Sequence, residues 1–382
     1  MLLAVALSWA MLSAWMVLYL GRGGFWRSDQ VLPRGREPHP GPWPEVTAIV
    51  PARNEAGGIA QCVRGILGQE YGGTLRLVVV DDQSQDGTAR LALEAAAGMG
   101  AAERLTVLSG QALPPGWAGK VWAMAQGVDA AGSPPYFWFT DGDIVHGPAV
   151  LERLVDRAEQ DGRVLVSLMV RLSCRGFWEH FLIPPFIFFF QKLYPFPWIN
   201  GGRHQTAGAA GGCMLVRREA LEKAGGFAAM RDALIDDCRL AALLRPEGPL
   251  WLGHAEDSRS LRHYRRLGEI WSMVARSAYV ELGFRPERLA AALLGMVFLY
   301  WLPLPLLLLG VLWQAPAVWT PALAALLLSW RLFWPTLRLY GLSPLWMPAL
   351  QPAAGLYTLM TADSARRHYL GRGGAWKGRT YS

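Results

Sequence analysis

The run LLAVALSWAMLSAWMVLYL, residues 2–20, contains no charged side chain. At about 1.5 Å of rise per residue, a helix of this length crosses the roughly 30 Å hydrocarbon core of a bilayer. A segment so apolar needs lipid or a large protein core around it, which limits what the rest of the chain can be. No basic region precedes it and no clear small-residue cleavage site follows it, so the sequence predicts a retained anchor over 1–21 and not a removed signal peptide. Arg22, Arg27, Arg34 and Arg36 come next, and the positive-inside rule then predicts a cytoplasmic continuation. The whole chain agrees with a membrane setting: 382 residues, 52% apolar, 18 Trp, only 18% charged and a mean hydropathy of +0.18.

A net charge of +7 and a pI near 9.4 suit nucleic acid, anionic lipid or a phosphate-bearing substrate. The arginines cluster beside apolar segments, which favours the bilayer surface and argues against nucleic acid as a partner. Cys62, Cys174, Cys213 and Cys238 are scattered with no zinc or redox spacing and read as reduced thiols.

Residues 22–44 are rich in Pro, Gly and Arg and read as a linker. From Val46 to about Leu172 short β-rich runs (VTAIVP, LRLVVV, LTVLS, YFWFT, RVLVSLMV) alternate with helical stretches at 59–67, 88–97, about 122–130 and after Pro148. That alternation predicts an α/β domain with a mainly parallel sheet and helices on both faces, its ligand site at the carboxyl ends of the strands. Residues 177–200, FWEHFLIPPFIFFFQKLYPFPWIN, are apolar but carry four prolines, and read as a membrane-interface segment or, alternatively, a buried core helix. Residues 266–285 form an amphipathic stretch suited to the bilayer surface.

The region 286–364 offers candidate spans near 289–312, 316–334 and 342–361, followed by a basic tail over 365–382 with Arg366, Arg367, Arg372, Lys377 and Arg379. A cytoplasmic tail after a cytoplasmic domain needs an even number of crossings, so two to three spans are expected, with one of three re-entrant or interfacial. The expected location is the inner (plasma) membrane, multi-pass, with the catalytic domain in the cytoplasm.

Against this background the acidic motifs stand out. YFWFT runs into Asp141-Gly142-Asp143. Two carboxylates this close repel, unless a hard divalent cation such as Mg²⁺ sits between them and a phosphate; a solvated turn is the other reading. VVVDDQSQDGT ends a second strand in Asp81 and Asp82, where a carboxylate can accept hydrogen bonds from a nucleobase or ribose, while Asp86 suits a helix cap. Neither G-x-G-x-x-G after a strand nor a P-loop occurs, so a nicotinamide dinucleotide or P-loop site is unsupported.

VPARNEA (50–56), VVVDDQSQDGT (78–88), GWAGKVWAMAQG (116–127) and FTDGDI (139–144), in that order, resemble the nucleotide-sugar half of glycosyltransferase family 2, inverting enzymes of the GT-A fold. GGCMLVRREALEKAGGF (211–227) and LIDDCRLA (234–241) resemble the acceptor half, and the likeness covers about 45–265. With an anchor before and apolar segments after, and with the phrase PPGWAGKVWA, the chain is most similar to the hopene-associated glycosyltransferases.

The resemblance implies a nucleotide-diphospho-sugar transferase fold and a divalent metal, Mg²⁺ or Mn²⁺. By it, Asp82 holds the base of the donor, Pro51, Ala52 and Glu55 line the nucleoside pocket, and Lys120 and Gly142 stand near the donor. Asp141 and Asp143 become the metal pair, with Asp143 the more direct ligand. Asp237 becomes the general base, with Asp236, Gly212 and Arg265 supporting it or the acceptor; for Asp237 itself a cap or a partner of Arg239 is the structural alternative. A lone Lys at a helix start such as Lys120 is otherwise simply solvated. The Q-x-x-R-W motif of processive synthases is absent from SLRHYRRLGEIWSMVARSAY, which favours transfer of a single sugar; Arg262, Arg265 and Arg266 there suit diphosphate or lipid headgroups. The expected donor is a nucleotide-diphosphate sugar, a UDP-sugar first, and the expected acceptor a membrane lipid hydroxyl, possible hopanoid linkage included. The rivals are a membrane nucleotidyltransferase, a transporter or lipid-binding protein, and a non-catalytic nucleotide-binding relative.

Overall fold

The computed structural model describes residues 1–33, 41–202 and 204–371, with the backbone of 375–376 and 379–380. Arg34 and Arg36 of the linker, and Arg372 and Lys377 of the tail, lie outside the described residues.

In chain order, α1 (Leu2–Gly21) leads to β1 (Val46–Ala52), α2 (Ile59–Leu67), β2 (Leu75–Asp81), α3 (Thr88–Ala97), β3 (Leu105–Ser109), α4 (Gly119–Ala130) and β4 (Tyr136–Phe139). Then come β5 (Ile144–His146), α5 (Val150–Gln160), β6 (Leu165–Arg171), α6 (Phe177–Leu193), α7 (Phe196–Asn200), β7 (Met214–Arg217), α8 (Arg218–Lys223), α9 (Asp236–Leu244) and β8 (Leu250–Ser260). The helical remainder is α10 (Leu267–Glu281), α11 (Pro286–Met296), α12 (Pro303–Leu312), α13 (Pro316–Leu339) and α14 (Leu350–Tyr369).

The eight strands form one sheet in the order β3-β2-β1-β4-β7-β6-β8-β5. Its first four strands are parallel, β7 is antiparallel to both neighbours, β6 and β8 are parallel, and β5 closes the edge antiparallel to β8. One core packs beneath α2, α3 and α5 and a second beneath α4 and α9, so helices cover both faces as the alternation predicts. The four residues of β4, Tyr-Phe-Trp-Phe, are each at most 1% exposed, and such burial contributes roughly 1.5–3 kcal/mol per side chain. Pro148 lies two residues before the start of α5 and not inside its first turn.

The sheet is curled, and the chain itself requires it. Strands β4 and β5 sit four places apart, about 19 Å in a flat sheet. Only Thr140–Asp143 connect them, and the Asp141 carbonyl accepts the Ile144 N–H at 3.1 Å, folding that connector into a turn. A turn of this kind spans under about 7 Å between its end Cα atoms, so the connector reaches about 14 Å at most. The edge strand must therefore swing round towards β4.

The apolar segment 177–200 departs from expectation. Instead of a broken stretch, residues 177–193 form one helix, α6, although Pro184 and Pro185 remove the donors for the carbonyls of His180 and Phe181. Packing on several sides holds it: Ile187 joins the core under the sheet, Phe188 the cluster with α1 and α13, and Leu182 and Ile183 the cluster with α10 and α14. The Gln191 amide donates to Ser28 Oγ at 3.0 Å, meets His254 Nε2 at 3.1 Å and accepts from Thr336 Oγ1 at 3.2 Å, joining β8 to α13.

Among the described residues α1 and α13 are long and apolar enough to cross a membrane, and α11, extended by a π-helical turn over Val297–Trp301, qualifies together with α12 as a pair bent by 41° at a break at Leu302. The third expected C-terminal span does not: α14 carries Asp363, Arg366 and Arg367 at its end. It packs on α10 instead, with Trp271 Nε1 donating to Asp363 at 2.8 Å and Tyr279 N–H to Ser364 Oγ at 2.9 Å. The amphipathic segment 266–285 thus covers α14.

Candidate active site

The loops after β1 and β2 are stitched together, and this positions Glu55. Asn54 adopts φ of 52°, a left-handed conformation that Asn tolerates, and its N–H donates to Ser84 Oγ at 2.9 Å while its Oδ1 accepts from Gln85 N–H at 2.9 Å. Glu55 N–H donates to Thr88 Oγ1 and Ala56 N–H to Asp86 Oδ2, both at 2.9 Å. Asp86 also accepts from Thr88 N–H at 3.1 Å, but it lies one residue before the helix cap, which is Gly87 and not Asp86.

Helix α2 begins against the Asp141-Gly142-Asp143 turn. A Cβ on Gly58 would come within 3.0 Å of Asp143 Cα and 3.1 Å of the Gly142 carbonyl, so a side chain there would push the turn outward. The turn is fixed at its far end by β8: Leu261 N–H donates to the Asp143 carbonyl at 2.8 Å, and Ser260 Oγ to Asp143 Oδ2 at 3.1 Å. Arg262 reaches Asp143 at 3.4 Å and Glu55 at 3.5 Å. Below it, Thr140 Oγ1 meets His146 Nε2 and donates to the Gly212 carbonyl, both at 2.8 Å, and His146 Nδ1 meets Ser258 Oγ at 2.8 Å. Burial drives the His146 pKa down to about 3, so the ring is neutral in this network.

Lys120 and the aspartates of α9 complete the constellation. Lys120, in the first turn of α4, lies 2.8 Å from Asp141 Oδ1 and 2.9 Å from Asp236 Oδ2. Burial by itself lowers the ammonium pKa, but the two carboxylates outweigh it and hold the charge firmly in place. Asp237 Oδ2 accepts from Gly211 N–H at 2.8 Å and Oδ1 from Cys238 N–H at 2.7 Å, and no bond to Arg239 is made. Burial, with the Asp236 charge, pushes the Asp237 carboxyl up to about 6 against the opposing effects of Lys120 and the two N–H groups. Burial likewise raises Asp141, with Asp143 and Asp236 adding to it and Lys120 opposing.

A cleft of about 1140 Å³ joins these residues. Pro51, Glu55, Lys120, Asp141, Gly142, Asp143, Gly212, Asp236 and Asp237 all line it. Three expected residues stand apart. Ala52 is fully buried, and its carbonyl accepts the Asp82 N–H at 2.8 Å. Asp82 is 2% exposed at the end of β2, with Arg53 3.5 Å from its carboxylate. Arg265 is exposed and outside the lining, because the chain turns outward after Tyr264, whose N–H is held by Glu179 at 2.7 Å. Ser260, Gly58 and Gly211 were not legible as site residues; Ser260 lies 117 positions from the carboxylate it holds.

The donor set suits a divalent cation. Five carboxylates, Glu55, Asp141, Asp143, Asp236 and Asp237, face two cations, Lys120 and Arg262, at this end of the cleft. Among the described residues no three His, Cys, Asp or Glu converge on one ion, so a cation there takes most of its ligands from water and substrate phosphate, the ordinary habit of Mg²⁺.

Residues 47–225 match the family Glycosyl transferase family 2. In shape the chain is similar to the mannosyltransferase PcManGT from Pyrobaculum calidifontis, solved in complex with GDP-Man and Mn²⁺, at 20% identity and a TM-score of 0.53 over 96% of this chain and 99% of that one. It is also similar to glucosyl-3-phosphoglycerate synthase from Mycobacterium tuberculosis, in complex with Mg²⁺ and uridine-diphosphate, at 22% identity and a TM-score of 0.40 over 63% and 80% of the two chains. No curated protein sequence matches the chain. The likeness to PcManGT extends past the sheet to the terminal helices, while the family match itself runs from β1 through α8. Residues 47–225 are a glycosyl transferase family 2 domain in a GT-A-like fold, and the chain that carries it is a transferase enzyme.

Proposed function

We propose that the chain transfers a single sugar from a nucleotide-diphosphate sugar, with inversion, to a hydroxyl of a membrane lipid. The observation that carries this reading is the shared cleft: its lining runs from Asp143 and Asp237 to Leu18 of α1, Ala291 and Gly295 of α11 and Leu299 beyond it. A soluble acceptor has no need of walls contributed by segments long and apolar enough to cross a membrane.

In this mechanism Asp237, held by Gly211 and Cys238 N–H groups, takes the proton of the acceptor hydroxyl. The oxygen attacks the anomeric carbon from the face opposite the diphosphate, the bond to diphosphate oxygen breaks, and the nucleoside diphosphate leaves. General-base help of this kind contributes roughly 10²–10⁴-fold. Lys120 and Arg262 present positive charge where the leaving group gains negative charge. A divalent cation, Mg²⁺ or Mn²⁺, held by Asp143 with Asp141, would neutralise the diphosphate. Pro51 and Glu55, which line the cleft, would border the nucleoside, for which UDP is the first choice and GDP, bound by PcManGT, the second. Hopanoid-linked alcohols are the acceptors that the motif resemblance suggests. The bent α11–α12 pair, taken as one span, and α13 would give two crossings after the domain, consistent with a multi-pass protein of the inner membrane with this domain and the tail in the cytoplasm.

The test is incubation of membranes bearing the chain with radiolabelled nucleotide sugars, with and without EDTA, followed by mass identification of labelled lipid. Transfer that EDTA, Asp143→Ala and Asp237→Ala each abolish is expected. Label in no lipid with any donor, or full transfer by Asp237→Ala, refutes the proposal.

A further inference from the structure

Beyond the aspartates the cleft lining also holds Arg22, Lys192 and Arg276, with Glu269 and Glu281. Lys192, near the end of α6, donates to Tyr300 Oη at 2.8 Å and lies 5.2 Å and 4.8 Å from the ring centroids of Phe189 and Tyr300. Among the described groups that act on it electrostatically there is no carboxylate; the one charge is another cation, Arg22. Burial, with Arg22 adding, pushes the Lys192 pKa down to about 7. Arg22 itself donates to the carbonyls of Lys192 at 3.0 Å and Leu193 at 3.1 Å, capping α6 and holding its guanidinium at that end of the helix.

An ammonium facing the cleft with a second cation acting on it favours an anion entering beside it. The position suits a substrate headgroup. Tyr194, two residues beyond Lys192, reaches Cys238, the neighbour of Asp237. Lys192, Tyr194, Cys238 and Asp237 all line the one cleft, where Tyr194 Oη also donates to Glu281. Small side chains on α11, Ala291, Ala292 and Gly295, leave room opposite Leu18 for acyl chains.

We propose that the acceptor is an anionic phospholipid, its phosphate paired with Lys192 and its headgroup hydroxyl directed to Asp237. This rests on the lipid-acceptor reading above and narrows it, since a neutral polycyclic alcohol leaves Lys192 without a counter-ion.

The test uses the full chain in detergent, equilibrated with equimolar phosphatidylglycerol and phosphatidylcholine, with retained lipid counted by native mass spectrometry. Wild type is expected to retain phosphatidylglycerol preferentially at pH 6.5. Lys192→Gln should lower that preference about tenfold, equivalent to about 1.4 kcal/mol. Because the preference needs the protonated ammonium, it should decline in wild type as pH rises from 6.5 to 9, whereas Lys192→Arg, charged throughout, should keep it at pH 9. Equal retention of the two lipids by wild type, or a preference that Lys192→Gln leaves intact, overturns the proposal. Should Lys192→Gln fail to fold, the wild-type and Lys192→Arg pH series decides alone. The readout needs no sugar transfer: a lipid preference without labelled product counts against the transferase reading, and sugar transfer without a lipid preference counts against this one.

Discussion

Lys120 Nζ sits 2.8 Å from Asp141 Oδ1, on a side chain only 18% exposed. The same ammonium holds Asp236 at 2.9 Å, so one cation links the carboxylate pair after β4 to the start of α9.

Replacing it by an uncharged side chain leaves two enclosed carboxylates without a counter-charge. Lys120→Met should cost on the order of 3 kcal/mol of stability and lower transfer by more than about a hundredfold, about 2.7 kcal/mol of barrier. Thermal melting and transfer assays check this; a melting temperature equal to that of wild type would show that the bridge is incidental.

Asp237 supplies a pH dependence. Its carboxyl is raised to about 6 and must be ionised to accept a proton, so kcat/KM should fall tenfold per pH unit below about 6 and level off above it. For stability the sign is opposite. A carboxyl whose folded pKa is raised contributes most below the ordinary carboxylate value, and that contribution is lost as pH rises through about 6. A rate profile flat from pH 5 to 8 would exclude Asp237 as the base.

Gly58→Ala should strain the Asp141-Gly142-Asp143 turn proposed to hold the cation, because its Cβ meets the backbone of Gly142 and Asp143 and not a yielding side chain. Overpacking of this kind costs about 1–3 kcal/mol, and the Mn²⁺ concentration giving half-maximal transfer should rise about tenfold, about 1.4 kcal/mol. Gly57→Ala, whose Cβ meets nothing within 4 Å, is the control and should match wild type.

Ser260→Ala removes the hydroxyl that donates to Asp143 at 3.1 Å. A hydrogen bond to a charged group is worth about 1.5–3 kcal/mol, so metal titration of the variant should show a clear loss of apparent affinity. Unchanged metal activation would place Asp143 under the control of Arg262 alone.

Much of this arrangement was legible in the sequence, and the reason is local. The runs that become β1 to β4 and β6 are apolar, short and bounded by turn residues, and their ends carry the acidic motifs. What was missed depends on distant partners. β5 has three residues and β7 four, too few for a pattern, and each exists because a neighbouring strand supplies its hydrogen bonds. Lys120 looks like an ordinary solvated lysine until α9 brings Asp236, 116 residues later, against it. The prolines of α6 argued for a break, yet burial on several sides outweighs two missing donors. Apolar composition likewise suggested a span at the C-terminal helix, where the last turn's charges and the packing on α10 decide otherwise.

The curl that swings β5, and β8 beside it, round towards β4 has a consequence for dissecting the protein. The aspartates of the Asp141-Gly142-Asp143 turn belong to the stretch matched by the family, residues 47–225, but the strand that holds Asp143 begins at Leu250. A fragment cut after the matched stretch keeps every donor-side carboxylate and loses the edge that spaces them. Recombinant pieces, domain grafts and homology-guided truncations therefore need to extend at least through Arg262 to retain the contacts that hold Asp143.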